Sequence, residues 1–518
     1  MEENNTATSL SHTGKKIFRG TVIIILVSVL AKFSAFLSEA INAAYLGTTY
    51  QSDAYYMVSS IIIGVCPVLS VAVWKVFLPV YKGKLAQNDQ AGADSMANKM
   101  ISFFTMLSLG VVVLLILLAD PLVSLIAPGF EGETRSLCIE LTRISAPMYT
   151  FIIAADIFAV MLQCHNQFFG SQIREVASHV PPILAAVLLY HRFGIRAMAV
   201  ALIAGGVLRL LVELPFRNWG YHYHPDFNFK SSEFGVMLRR FPSAFLSGGV
   251  QQINILIDRA IASMFPEGAV SGMNYGHRLN HVFSGLLSTA ISMALFPQMV
   301  ELITHRKHEE LKRLLTRIMN IFMILMIPVT IACVLFSRDL VVAVFARGAF
   351  QEESVALTSG VFTFYSLGLL FTACSSVLSN VFYGFGDART PLIISLIGIV
   401  INVILNLTLS HFMGVNGLAL ATSLAAVVAL TLRMIFLRKY ASLEWRTLAL
   451  TFGKVLPAAL IACGAAWWAV SLLSLNVYMR LITAAVIGVA VYYPIIRLLH
   501  LDEIMLLIKL LRKKLKRG

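Results

Sequence analysis

Charged and amide side chains set inside apolar sequence are the residues of this chain equipped for chemistry, and they concentrate around Val250 to Pro297. That stretch reads GVQQINILIDRAIASMF, a short polar break at Pro266 to Gly268, then AVSGMNYGHRLNHVFSGLLSTAISMALFP. Gln251, Gln252, Asn254, Asp258 and Arg259 fall in the first apolar run, and Asn274, His277 and Arg278 in the second. The N-terminal part adds Lys32, Glu39, Asp53 and Lys75. An ionised group is costly in hydrocarbon and persists there by facing a bundle interior or a wet cavity. Lys32 and Glu39 are seven residues apart and share a helical face, so a cavity lined by both signs is expected. Lys32, Lys75 and Arg278 are the groups that a phosphate-bearing head group needs, because ammonium and guanidinium donors match its oxygens. The competing reading is structural: mutually satisfied ion pairs, with Asp53 as a cap beside a short loop and Arg259 paired with its neighbour Asp258.

A second constellation lies further on. Asn402 and Asn406 stand at i and i+4 on one apolar run and Thr422 on the next, and with Asp258 they offer oxygens to a coupling cation. Asparagines in membrane helices also serve as interhelical hydrogen-bonding glue, and the spacing alone leaves both readings open. Asp156, Glu175, His179 and Glu213 are read as locally paired. No metal site or bound cofactor is indicated, and the six cysteines form no CxxC pair.

The elements that position these residues follow from composition. Of 518 residues, 58% are hydrophobic and 13% charged, against about 25% charged in soluble domains. Repeated apolar runs separated by short polar breaks specify an all-α, polytopic integral membrane protein of about fourteen spans. The net charge of +14 sorts to alternate loops, which argues for the positive-inside rule rather than for nucleic acid. By that rule both termini face the cytoplasm, and the run from Ile17 is a retained span rather than a cleaved signal.

The chain also repeats itself. Phe77-Leu78-Pro79 is echoed by Leu295-Phe296-Pro297, and FGIRAMAVALIAGGVLRLLVELPF from Phe193 by MGVNGLALATSLAAVVALTLRMIF from Met413 (297 − 79 = 218; 413 − 193 = 220). A constant offset is the mark of an internal repeat. Six helices per repeat start each half on the same side, which gives parallel lobes with the site expected between them. The organisation expected is a cytoplasmic tail (1–16), an N-lobe (17–216), a linker (217–232) and a C-lobe (233–440). Two further helices (441–500) and a basic amphipathic tail (501–518) suited to an anionic leaflet complete it.

Glu39-Ala-Ile, Ser52-Asp53-Ala54-Tyr55, Phe77-Leu78-Pro79, Ala127-Pro128-Gly129-Phe130, Asn274-Tyr275-Gly276-His277-Arg278-Leu279 and Gly384-Phe385-Gly386-Asp387-Ala388-Arg389-Thr390-Pro391 together resemble the MurJ (MviN) lipid II flippases. These belong to the multidrug, oligosaccharidyl-lipid and polysaccharide exporter superfamily. The resemblance implies a fourteen-helix fold, a central cationic cavity and a lipid-tail groove formed by the last two helices. It implies transfer of undecaprenyl-pyrophosphate-linked peptidoglycan precursor to the outer leaflet of the bacterial cytoplasmic membrane, with wall-synthesis enzymes as partners. The chain itself is read as a monomer, and its driving force as Na+, H+ or the membrane potential. Lys32 matches a family arginine, Asp53 a family aspartate and Arg278 the arginine of the eighth span. Ser38 stands where many members carry a second arginine, Cys66 and Pro67 where a basic pair is usual, and Asn406 where some carry an acid.

Four alternatives come from the same residues. A flippase for another undecaprenyl-linked glycan fits a thinner set of arginines. A cation-coupled drug exporter requires a net acidic cavity. A membrane enzyme lacks its motifs, since no paired-aspartate metal motif, phosphate-cradling glycine loop or nucleophile with its base is present. A transport-dead scaffold that recruits wall enzymes predicts no effect of cavity charges on growth.

Overall fold

The computed structural model describes residues 26–62, 64, 66–216 and 219–499, and among them the chain is helical with no strand. The tails expected at 1–16 and 501–518 lie outside the described residues. Two compact units divide the chain, one ending at Val270 and the other beginning at Ser271. In a bilayer no water is available to satisfy the backbone, so each apolar run closes its own hydrogen bonds as helix.

The first unit contains α1 (Leu26–Leu46), α2 (Tyr50–Ile62), α3 (Cys66–Ala86), α4 (Gln90–Leu117), α5 (Ala119–Ile126), α6 (Gly132–Ser145) and α7 (Met148–Cys164). It continues with α8 (Phe168–Leu184), a π-helical turn (Ala185–Leu189), α9 (Tyr190–Phe193), α10 (Ile195–Leu211) and α11 (Ser232–Ala262). The second unit opens within α12 (Ala269–Thr304) and holds α13 (His308–Leu335), α14 (Ser337–Phe345), α15 (Glu352–Ser366) and α16 (Leu369–Gly384). It ends with α17 (Arg389–Met413), α18 (Val415–Leu437), α19 (Trp445–Ser471) and α20 (Val477–Leu498).

The internal repeat is written into the backbone. α6 and α7 are bent by 44° and α15 and α16 by 47°, at breaks of residues 146–147 and 367–368. Positive φ recurs at matched positions: Asn88 and Arg306 (58° and 53°; 306 − 88 = 218), Asn166 and Gly386 (60° and 76°; 386 − 166 = 220), Gly194 and Gly414 (61° and 58°; 414 − 194 = 220). Non-glycine residues seldom adopt that region, so matched pairs at one offset are not a consequence of composition.

Among the described residues nine helices are long and apolar enough to cross a membrane, and up to eleven spans result if each bent pair counts as one. The shortfall from about fourteen spans falls at α2 with α3, at α11 and at α12, which stand outside that set. Length is not what sets α11 and α12 apart, since they have 31 and 36 residues and about 20 suffice. All four helices α2, α3, α11 and α12 carry charge: Asp53, Lys75, Asp258, Arg259 and Arg278.

Close packing brings buried charge together in the first unit. A Cβ on Gly205 would stand 2.6 Å from the Ser178 carbonyl oxygen and one on Gly206 3.3 Å from the Met148 side chain. The missing side chains let α10 lie against the backbones of α8 and α7, as small residues do where lipid supplies no hydrophobic drive. Arg209 and Glu213 follow one and two turns later. In the second unit α19 is fastened to α13 through Glu444 N–H to Thr316 Oγ1 (3.1 Å), and Tyr492 of α20 donates to the Ile324 carbonyl (2.7 Å). Outward from this pair stand Ile461 and Trp468 of α19 and Val486 and Val489 of α20, all exposed.

Candidate functional site

A polar seam joins α1, α2 and α11 in the first unit. Glu39 is buried on α1, and its Oε2 accepts from the Tyr56 hydroxyl at 2.6 Å. The carbonyl of the same Tyr56 accepts from Arg259 Nη1 at 2.7 Å, so one α2 residue links the Glu39 carboxylate to the Arg259 guanidinium. Asp258 is buried and its Oδ2 takes a 3.3 Å bond from Asn254 Nδ2. Arg259 thus ties α11 to the backbone of α2.

Asp53 is also buried, and its Oδ2 accepts from the Gly268 N–H at 2.7 Å. Gly268 has a φ of +91°, and a Cβ there would meet the Thr48 carbonyl oxygen at 2.8 Å, so glycine is required by both conformation and space. Glu267 Oε1 accepts from the Tyr50 N–H at 2.7 Å. Asp53 and Glu267 therefore bind the turn after α11 to the start of α2.

The basic residues named from sequence are more open. Lys32 and Lys75 are exposed on α1 and α3, and Arg278 is exposed on α12 in the second unit. On α1 the exposed apolar stripe is Leu26, Val29, Leu30, Phe33 and Leu37. Lys32 shares its face with Glu39 instead, about a third of a turn from the centre of that stripe.

In the second unit Asn402 and Asn406 are buried on α17, with Asn406 Nδ2 donating to Asn402 Oδ1 at 3.0 Å. Asn402 Nδ2 donates to Thr422 Oγ1 of α18 at 3.4 Å, so three of the four residues named for a cation form one hydrogen-bonded set. The fourth, Asp258, belongs to α11 of the first unit. Downstream of α16, Asp387 caps α17: its Oδ1 accepts from the N–H groups of Arg389 and Thr390, both at 3.0 Å, and its Oδ2 from the Tyr440 hydroxyl at 3.0 Å. Those bonds, Thr390 foremost, hold its carboxyl below the usual carboxylate range.

Two constellations escaped the sequence reading. Asp156 of α7, read there only as locally paired, is buried and takes contacts from Ser70 of α3, Arg174 of α8 and Arg209 of α10, the last at 2.8 Å. Arg209 Nη2 also stands 2.9 Å from Glu175, and Arg174 Nε 3.6 Å from Glu213. In the second unit Arg433 of α18 is buried with Nε on Ser379 Oγ and Nη1 on Ser375 Oγ, both 2.9 Å, and Nη2 on Ser395 Oγ at 3.4 Å. The sequence held a signal for both, since 433 − 213 = 220 places Arg433 opposite Glu213 in the repeat.

Comparison with known proteins gives a consistent result. The family described as "Lipid II flippase MurJ" matches residues 42–486. The chain is 28% identical over 426 residues to a probable lipid II flippase MurJ of Thermotoga maritima, covering 80% of this chain and 85% of that one. To a probable lipid II flippase MurJ of Synechocystis sp. it is 27% identical over 519 residues, covering 96% and 97%. In fold it is similar to a solved lipid II flippase MurJ in an inward closed conformation, with a TM-score of 0.81 at 21% identity, over 93% of this chain and 100% of that one. An inward-facing multidrug resistance MATE family transporter of the MOP superfamily gives 0.67 at 16% identity, over 80% and 97%.

Proposed function

The chain belongs to the MurJ family of lipid II flippases, and on that premise we propose that it carries lipid II from the inner to the outer leaflet of a bacterial cytoplasmic membrane by alternating access. The observation that carries this reading is the family match over 42–486, which takes in most of the first copy of the internal repeat and all of the second. A pyrophosphate-linked sugar is too polar to cross hydrocarbon unaided, whereas a protein path that offers it cations and hydrogen bonds removes that barrier. Lys32, Lys75 and Arg278 are the cations we assign to the head group, with Glu39 holding the face of α1 on which Lys32 stands. Asp53 serves them indirectly, by fixing the turn that leads into α12 and so to Arg278. The exposed apolar faces of α19 and α20 are assigned to the undecaprenyl tail.

Orientation follows from loop charge, with Lys82, Lys84, Arg306, Lys307, Arg438 and Lys439 at the cytoplasmic side and both termini there. The driving force we assign is a coupled cation or the membrane potential, which supplies about 2.3 kcal/mol per charge per 100 mV. A second reading, another undecaprenyl-linked glycan, is favoured by one observation: Lys32 is the one basic residue among the described residues of α1, with Ser38 buried beside Glu39. Cells depleted of their own flippase and supplied with this chain test both. Restored lipid II at the outer leaflet supports the first reading. A well-expressed copy that restores none, while promoting export of another undecaprenyl-linked glycan, replaces it with the second.

A further inference from the structure

The charge cluster at the junction of α7, α8 and α10 has no task in transport as described above. It holds two guanidinium groups, Arg174 and Arg209, and three carboxyl groups, Asp156, Glu175 and Glu213. Both guanidiniums direct N–H groups onto Asp156, and Arg209 also donates to Glu175 Oε2 at 3.3 Å. Two positive charges are thereby met by two negative ones. Glu213 is the remaining carboxyl. Its side chain has 0% exposure, and among the described residues neither of its oxygens takes a hydrogen bond. Arg174 Nε stands 3.6 Å from Glu213 Oε1, an ion-pair separation rather than a hydrogen bond.

An ionised carboxylate here would be desolvated, unbonded and beside two other anions, whereas the acid form carries no charge in the same space. Glu175, with 40% of its side chain exposed, places the edge of the cluster at the surface of the first unit. The internal repeat sharpens the contrast. Opposite Glu213 stands Arg433, whose N–H groups meet only serine hydroxyls among the described residues, groups that stay neutral. The junction in the second half thus carries a fixed charge where the first half carries an acid able to gain or lose one.

We propose that Glu213 is a proton-binding site of the first half and that it holds a proton in this conformation, balancing the cluster of Asp156, Arg174, Glu175 and Arg209. The claim is independent of which lipid is moved. The test is infrared spectroscopy of the purified full-length protein in lipid nanodiscs at neutral pH. A carboxylic-acid carbonyl band is expected in the wild type, lost in Glu213→Gln and displaced in Glu213→Asp. No acid band in the wild type, or an unchanged band in Glu213→Gln, overturns the proposal. Melting provides the second measurement. Glutamine mimics a protonated glutamate, so Glu213→Gln should melt with the wild type while Asp156→Asn melts several degrees lower. A Glu213→Gln protein that unfolds, or melts as low as Asp156→Asn, would make Glu213 an ionised partner of Arg174 and overturn it equally.

Discussion

Replacing Asp156 by asparagine keeps the size of the side chain and removes the buried charge onto which both Arg174 and Arg209 direct hydrogen bonds. Those two arginines have 13% and 12% of their side chains exposed, and Asp156 has 4%. Removing one partner from a buried ion pair leaves uncompensated charge and costs about 3–5 kcal/mol. For a unit of this size about 1 kcal/mol moves Tm by roughly 2–4 °C, so a fall of about 6–20 °C is expected. Tryptophan fluorescence of the purified full-length protein during heating reads this directly. Arg196→Ala provides the control. It removes a bidentate pair with Glu140, at 2.6 and 3.0 Å, whose side chains are 64% and 39% exposed. Solvent and salt replace such a pair at little cost, so no measurable change in melting is expected. The distances of the two pairs are alike and their burial is not. If both variants melt together, burial does not decide the worth of charge in this protein and the reasoning fails.

Three further outcomes follow from the geometry. Asp53→Ala strands the buried Gly268 N–H, at a cost of about 1–3 kcal/mol, and Gly268→Val meets Thr48; both variants should be cut by protease near residues 264–268 faster than the wild type, and equal rates would remove the latch. Asp387 has its carboxyl held low, so its stabilisation is complete above the unfolded carboxylate value of about 3.9 and is lost as pH falls through the folded value. The melting gap between wild type and Asp387→Ala should therefore be constant near neutral pH and close in acid; a gap that widens in acid contradicts the assignment. If the Asn402, Asn406 and Thr422 set takes a cation, Na+ should raise the Tm of the wild type and not that of Asn406→Ala, whereas a salt-independent drop in Asn406→Ala marks it as interhelical glue.

The membrane helices and their duplication were legible because both are one-dimensional signals. Apolar run length reads span by span, and an offset of 218 to 220 residues survives any divergence that leaves lengths intact. Breaks inside spans were not legible. The bends of 44° and 47° come at Ala146 and Pro147 and at Leu367 and Gly368, with no loop between the paired helices. Site geometry was legible only where partners are near in sequence, as with Asn402 and Asn406. Asp156, Arg174 and Arg209 come from three helices, and their meeting depends on the Gly205 and Gly206 contacts, which carry no charge signal. The bond from Arg259 to the Tyr56 carbonyl spans 203 residues of sequence, and no spacing rule marks it.

The flippase reading meets its most direct test in proteoliposomes that contain the purified chain and head-group-labelled lipid II, with accessibility of the label followed from one side of the membrane. The expected result is transfer of label between leaflets by the wild type and its collapse in Lys32→Ala and Arg278→Ala proteins that melt normally. Wild-type vesicles that move no more label than empty ones under an applied potential or cation gradient, or variants that move as much as the wild type, would contradict it.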